Sequence, residues 1–187
     1  MIDYFALLDI ERRPAINDEF LKNAYFRKTE SFRLNQAESD VFSSLNLAFR
    51  TLANPATRIQ HLLNLEFGNA RGGQIESELG ELFGNVVEAL QNADQEFGSL
   101  STESSALIRA LAFHRMDGMR ESLNQSEKEL SKRECGLLSE LGQLDSMWIE
   151  NPSQCRESLA QIALSLTFVQ KWLNEVRERK IRLEELA

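Results

Sequence analysis

Few side chains in this 187-residue chain are of the kinds that carry out covalent or metal chemistry. His61 and His114 are its two histidines, and neither stands in a His-x-x-x-His or Glu-x-x-His arrangement that would put two ligands on one helix face. Each is most simply a helix residue with one satisfied ring nitrogen. Cys135 and Cys155 have no cysteine partner at ligand spacing and no nucleophile motif around them. Two cysteines are also too few for a disulfide framework or a four-thiolate zinc site, which fits a reducing compartment. The glycines are scattered and form neither a dinucleotide-binding GxGxxG nor a phosphate loop. Paired acids at Glu127 and Glu129, and at Glu184 and Glu185, read as solvated helix faces. No catalytic residue, bound metal or cofactor is expected; the work of such a chain is contact, not catalysis.

Charge narrows the kind of contact. Against 29 Asp and Glu there are 21 Lys and Arg, a net charge of −8. That argues against nucleic-acid binding, which needs basic surface to displace counterions. One segment departs from the trend. Between Phe20 and Gln36 lie four bases (Lys22, Arg27, Lys28 and Arg33) and one acid (Glu30), a local +3 in an acidic chain. The first residues carry Asp3, Asp9 and Glu11 before any base, unlike a secretory signal. The longest apolar stretch, Ile162 to Val169, falls well short of the roughly 18 residues a membrane span needs. A cytoplasmic protein with no membrane segment is expected, and 42% hydrophobic residues give it material for a real core.

These residues must be positioned by helices. Period-two alternation and hairpin dipeptides between β-branched runs are both missing, so the fold class predicted is all-α. Tyr4 to Leu8 is a short apolar segment. Asn17 can cap a helix whose first turn holds Asp18 and Glu19, and Leu21, Ala24, Tyr25 and Phe32 give it an inner stripe interrupted by Lys28. A second helix from about Ser39 carries Val41, Phe42, Leu45, Ala48, Phe49 and Leu52. Asn54-Pro55 ends it and starts a third, which stops at Gly68. Residues 1–67 carry −1 and residues 68–187 carry −7, and the shift falls at the glycine cluster Gly68 to Gly73. A domain boundary is therefore placed there, giving segments 1–68 and 76–187 with 69–75 as linker.

Beyond the linker the pattern predicts three longer helices. The first runs from about Glu76 to Phe97, with Gly98 as its stop. The second, capped by Ser101 or Thr102, carries apolar residues as far as Leu144, with Gly118, Gly136 and Gly142 leaving room for a bend. The third starts near Asn151-Pro152. At ~1.5 Å per residue the last two would be about 60 and about 50 Å long. One apolar stripe on each can be buried only against the others, so an elongated antiparallel three-helix bundle or hairpin is expected.

Taken in order, Asp3-Tyr4-Phe5, then Asn46-Leu47-Ala48-Phe49, then Pro55 through Leu63 with Arg58 and His61-Leu62-Leu63 inside it, form a recognisable series. In order and spacing it resembles the J-domain of the HscB-type co-chaperones of iron–sulfur cluster assembly. The likeness covers about the first 67 residues and continues more loosely to Leu164 through Val169. It implies a J-domain-like N-terminal domain followed by a C-terminal domain of the HscB kind, which takes part in oligomerisation or scaffold binding. By implication a DnaK-type ATPase chaperone docks on Lys22, Arg27, Lys28, Arg33, Leu34 and Asn35. An iron–sulfur scaffold or other client would be held by Leu82, Phe83, Val86 and Phe168, with Phe113, Met116 and Met119 the other register for the first-helix set.

One departure from the family bears on activity. The loop that holds its His-Pro-Asp tripeptide registers here with Arg33-Leu34-Asn35. Leu34 lacks the fixed φ of proline, and Asn35 lacks a charge for a partner's arginine, a bond worth roughly 1.5–3 kcal/mol. The expectation is a monomeric co-chaperone of iron–sulfur assembly or protein folding, not an enzyme. Its rivals are a degenerate J-like adaptor that docks without stimulating ATP hydrolysis, and a plain coiled-coil structural protein.

Overall fold

In the computed structural model, which describes residues 1–34, 39–68, 77–102 and 106–185, every regular element is a helix. In chain order these are α1 (Tyr4–Leu8), α2 (Asp18–Leu34), α3 (Ser39–Ala53), α4 (Pro55–Phe67), α5 (Ser77–Thr102), α6 (Ala106–Glu150) and α7 (Pro152–Glu185). No strand occurs among the described residues, so the chain is all-α. None of the helices searched there is long and apolar enough to cross a membrane.

Local chemistry accounts for the helix ends. Asp3 starts α1 by accepting from the N–H groups of Phe5 and Ala6 at 3.0 and 3.1 Å. The helix then closes on Asp9 in the left-handed region at φ 60, a conformation that aspartate enters more readily than most residues. Asn17 accepts from Phe20 N–H at 3.0 Å at the head of α2, and Asn54 accepts from Thr57 N–H at 3.2 Å at the head of α4. Gly68, at φ 73, ends α4 where an L side chain would be strained.

The chain groups into two compact units: Met1–Gln74 with Leu137–Thr167, and Ile75–Gly136 with Phe168–Ala187. Helices α6 and α7 therefore supply residues to both. The expected linker 69–75 lies outside the described residues.

In the first unit α3 packs against α1, α2 and α4. Phe5, Leu8, Leu21, Ala24, Leu45, Ala48, Leu52, Ile59, Leu62 and Leu63 form its core, each large side chain worth ~1.5–3 kcal/mol when fully buried. The short connection makes α2 and α3 an antiparallel pair. The pair is pinned by the Tyr25 hydroxyl donating to Asn46 at 2.6 Å and by the Tyr25 ring against Phe49 at 4.7 Å.

Leu137–Thr167 belongs with this unit through specific contacts, which local periodicity does not register. Buried Trp148 donates its indole N–H to the Arg12 carbonyl at 3.0 Å and meets Phe67 edge-on. Asp145 pairs with Arg13 and accepts from Ala15 N–H at 3.0 Å. The Arg156 guanidinium lies over the Phe67 ring at 5.4 Å.

In the second unit α5 and α7 run parallel. Contacts of Phe83 with Phe168 and Trp172, Asp94 with Arg179, and Phe97 with Arg182 advance together along both helices. Helices α6 and α7 run antiparallel, since Glu134 meets Gln170 while the earlier Glu127 meets the later Arg177 and Lys180. Hydrogen bonds from Lys180 and Arg177 hold the Glu127 carboxyl below its usual range.

The expected stop at Gly98 does not occur. Helix α5 continues to Thr102, so Ser101 and Thr102 finish α5 instead of capping α6. A helical glycine costs only about 1 kcal/mol relative to alanine, and Phe97 just before it is buried with Arg182 over its ring at 4.5 Å. Helix α6 likewise runs through Gly118, Gly136 and Gly142 without a break.

Candidate functional site

Helix α2 is held by Leu21 and Ala24, both buried, with Tyr25 against α3. That anchoring turns its other side to water. Lys22, Arg27 and Arg33 are exposed there, and none has an acidic partner among the described residues. Lys28 takes a different direction: it is half-buried, and its Nζ lies 3.7 Å from Asp9, the residue that closes α1. This explains the cation that interrupts the inner stripe. The four predicted bases thus divide into three on the outer face and one turned toward α1.

Arg33 and Leu34 were expected in a loop and are instead the last two residues of α2. With no proline at this place the helix has no reason to stop earlier. Leucine is a good helix former, and Arg33 in the last turn suits the negative end of the helix dipole. The Leu34 side chain and Asn35 lie outside the described residues.

Phe20 and Phe26 were not singled out by sequence reasoning. They are 51% and 63% exposed, both off the side of α2 that packs. The signal available was their failure to fall on the inner stripe.

The second predicted group lies on α5 and α7. Phe83 and Phe168 come together with ring centroids 5.8 Å apart, and both are half-buried, as is Leu82. Val86 has no exposure and is part of the core of this unit. Trp172, which the apolar stripe of α7 contains without distinction, joins the pair at 5.9 Å from Phe83, with Lys171 Nζ 5.4 Å over its own ring. Of the alternative register, Met116 and Met119 are buried, and the Phe113 side chain lies outside the described residues.

No protein-family model matches the chain, and no curated protein matches it as a relative.

Among the described residues no three His, Cys, Asp or Glu side chains gather as a metal site. Cys135 is exposed, whereas Cys155 is buried, and that burial pushes its thiol up, away from the reactive thiolate. The His114 side chain lies outside the described residues.

His61 has a definite structural role. It is buried on α4, its Nε2 accepts the Tyr4 N–H at 3.1 Å, and its ring stacks on Tyr4 at 4.5 Å and on Phe5 at 5.8 Å. Burial lowers its pKa from the ordinary 6.5, Arg12 adds to the lowering, and Asp3 opposes it. Only the neutral ring can accept from Tyr4, so the folded chain binds this proton less readily than the unfolded chain. Stability from the contact is complete above 6.5 and is lost progressively as the pH falls below it. Urea unfolding at about pH 5 and about pH 7.5 is expected to show the loss, and His61→Gln to remove most of the difference. The same difference in the variant would assign the titration to other groups.

Arg58 is the residue that sequence reasoning placed in a motif without seeing its task. It is 4% exposed on α4 and donates to the Pro14 carbonyl at 2.7 Å and the Leu52 carbonyl at 2.8 Å. Burial pushes its pKa down to about 10, still charged at neutral pH. Its cation therefore sits at the carboxyl end of α3, where the helix dipole is negative.

Proposed function

We propose that the first four helices act as a J-domain-like module that docks a DnaK-type ATPase chaperone on the outer face of α2. Phe83 and Phe168, with Leu82 beside them, hold a client or an iron–sulfur scaffold protein. The protein is then a cytoplasmic co-chaperone of the HscB kind, without a cofactor of its own. One observation carries this reading: an antiparallel α2–α3 pair, braced by α1 and α4, presents Lys22, Arg27 and Arg33 to solvent without an acidic partner among the described residues. Three such cations in a chain of net charge −8 are suited to an acidic protein surface and to faster encounter with it.

The helical state of Arg33 and Leu34 favours a second reading of the same module, as an adaptor that docks without triggering ATP hydrolysis. Changing Lys22, Arg27 and Arg33 together to alanine is expected to weaken chaperone binding about tenfold at low salt, with a smaller effect at high salt. A single-turnover ATPase assay separates the readings. Acceleration by the unaltered protein supports the co-chaperone. No acceleration, with gain on changing Arg33-Leu34-Asn35 to His-Pro-Asp, supports the adaptor. Absence of binding at any salt concentration ends both.

A further inference from the structure

The outer face of α2 holds more than charge. Phe26 is 63% exposed, and its ring lies 5.6 Å from that of Tyr25. At about 100° of turn per residue, Lys22, Phe26 and Arg33 fall within about 40° of one another round the helix. Phe20 and Arg27 fall within about 20° of each other, on a strip about 100° further round. Each strip therefore carries an exposed phenylalanine beside a cation that has no acidic partner among the described residues.

A single exposed apolar side chain needs no explanation. Two phenylalanines more than half exposed on the solvent side of α2, among Lys22, Arg27 and Arg33 and the exposed acids Glu19 and Glu30, do form a pattern. Neither strip contributes to the core, because Leu21, Ala24 and Tyr25 already fill the side of α2 that packs. Nor does charge recognition require aromatic rings, since Lys and Arg on a solvated helix attract an acidic partner without them. Rings in such a setting have the composition of an interface centre, in which aromatic residues and Arg carry most of the binding energy and the surrounding charges set orientation and encounter rate.

Resting on the docking reading above, we infer that Phe26 is an apolar anchor on this face. The partner protein receives its ring in an apolar recess rimmed by acidic groups, with Lys22 and Arg33 pairing to that rim. Phe20, beside Arg27, makes a second and outer contact. The recognition chemistry is thus mixed, and it separates into a salt-dependent part from the cations and a salt-independent part from the ring.

The experiment is calorimetric titration of the full chain into a purified DnaK-type chaperone with ATP, at low and at high salt. Phe26→Ala is expected to weaken binding by at least about tenfold at both salt concentrations, while Phe26→Leu retains most of the affinity. Lys22→Ala and Arg33→Ala weaken it mainly at low salt. Because Phe26 lies outside the core, unchanged thermal unfolding of Phe26→Ala shows that the loss is one of contact. Unaltered binding by Phe26→Ala overturns the anchor and leaves the docking reading intact. No binding by the unaltered protein removes the docking reading and the anchor with it. Co-sedimentation with phosphatidylserine vesicles that Phe26→Ala abolishes assigns the face to a membrane and overturns the protein partner.

Discussion

Arg58→Ala is expected to destabilise the first unit by about 3–4 kcal/mol, seen as a lower urea midpoint with an unchanged slope. The side chain is buried and donates to the carbonyls of Pro14 and Leu52. Removing it leaves both acceptors without this donor, at about 1–3 kcal/mol each, and opens a cavity between α4, the end of α3 and the segment before α2. Arg58 keeps its charge in a site where burial pushes its pKa down to about 10, so deleting it also relieves a desolvation cost. Arg58→Met decides between these effects, because it keeps most of the stem and removes only the charge and the donors. If the hydrogen bonds dominate, the methionine variant loses about 2 kcal/mol or more. A methionine variant more stable than the unaltered protein would mean that the buried charge dominates and that the two carbonyl bonds do not hold α4 in place. Arg58→Lys should fall in between, since one ammonium has no planar fork with which to reach two carbonyls.

Trp148→Ala is the second large effect, about 3–5 kcal/mol. Trp148 is 5% exposed, meets Phe67 edge-on at 6.2 Å and donates its indole N–H to Arg12. The truncation removes an aromatic volume and leaves the Arg12 carbonyl without its donor. Trp148→Phe keeps a ring against Phe67 but loses the hydrogen bond and part of the indole volume, so it should cost less than the alanine variant, about 1–3 kcal/mol. Hydrogen exchange locates the loss: protection at residues near Arg12 and Ala15 should fall in Trp148→Ala together with that of the Leu137–Thr167 stretch. Those two stretches lie in one compact unit and share the Arg13–Asp145 pair as well as this indole bond. Loss confined to α6 and α7 would separate Leu137–Thr167 from the N-terminal helices in energy, whatever their contacts.

The candidate site was only partly legible in the chain. The three cations of α2 that face water are visible as bases off the apolar stripe, and so is Lys28 as the one that breaks it. Its reason, the carboxylate of Asp9 at the end of α1, is a contact between separate elements. Phenylalanine in a helix does not announce its own exposure, and only the orientation of α2 on α3 shows that Phe20 and Phe26 stay outside. On α5 the same ambiguity ran the other way: Leu82, Phe83 and Val86 were grouped as one surface, yet Val86 is fully buried while its two neighbours are half-buried.

What the amino-acid order determined by itself is what nearby residues can enforce. Asn17, Asn54 and Gly68 set helix ends because a cap acts within one turn, and apolar spacing specified the helical class because its period is local. Tertiary structure alone decided the rest. It let α5 pass through Gly98, turned Arg58 inward between two carbonyls, and grouped Leu137–Thr167 with the first helices. Each of these depends on partners far away in the chain, whose combined burial and hydrogen bonding outweigh a preference of about 1 kcal/mol at any one position.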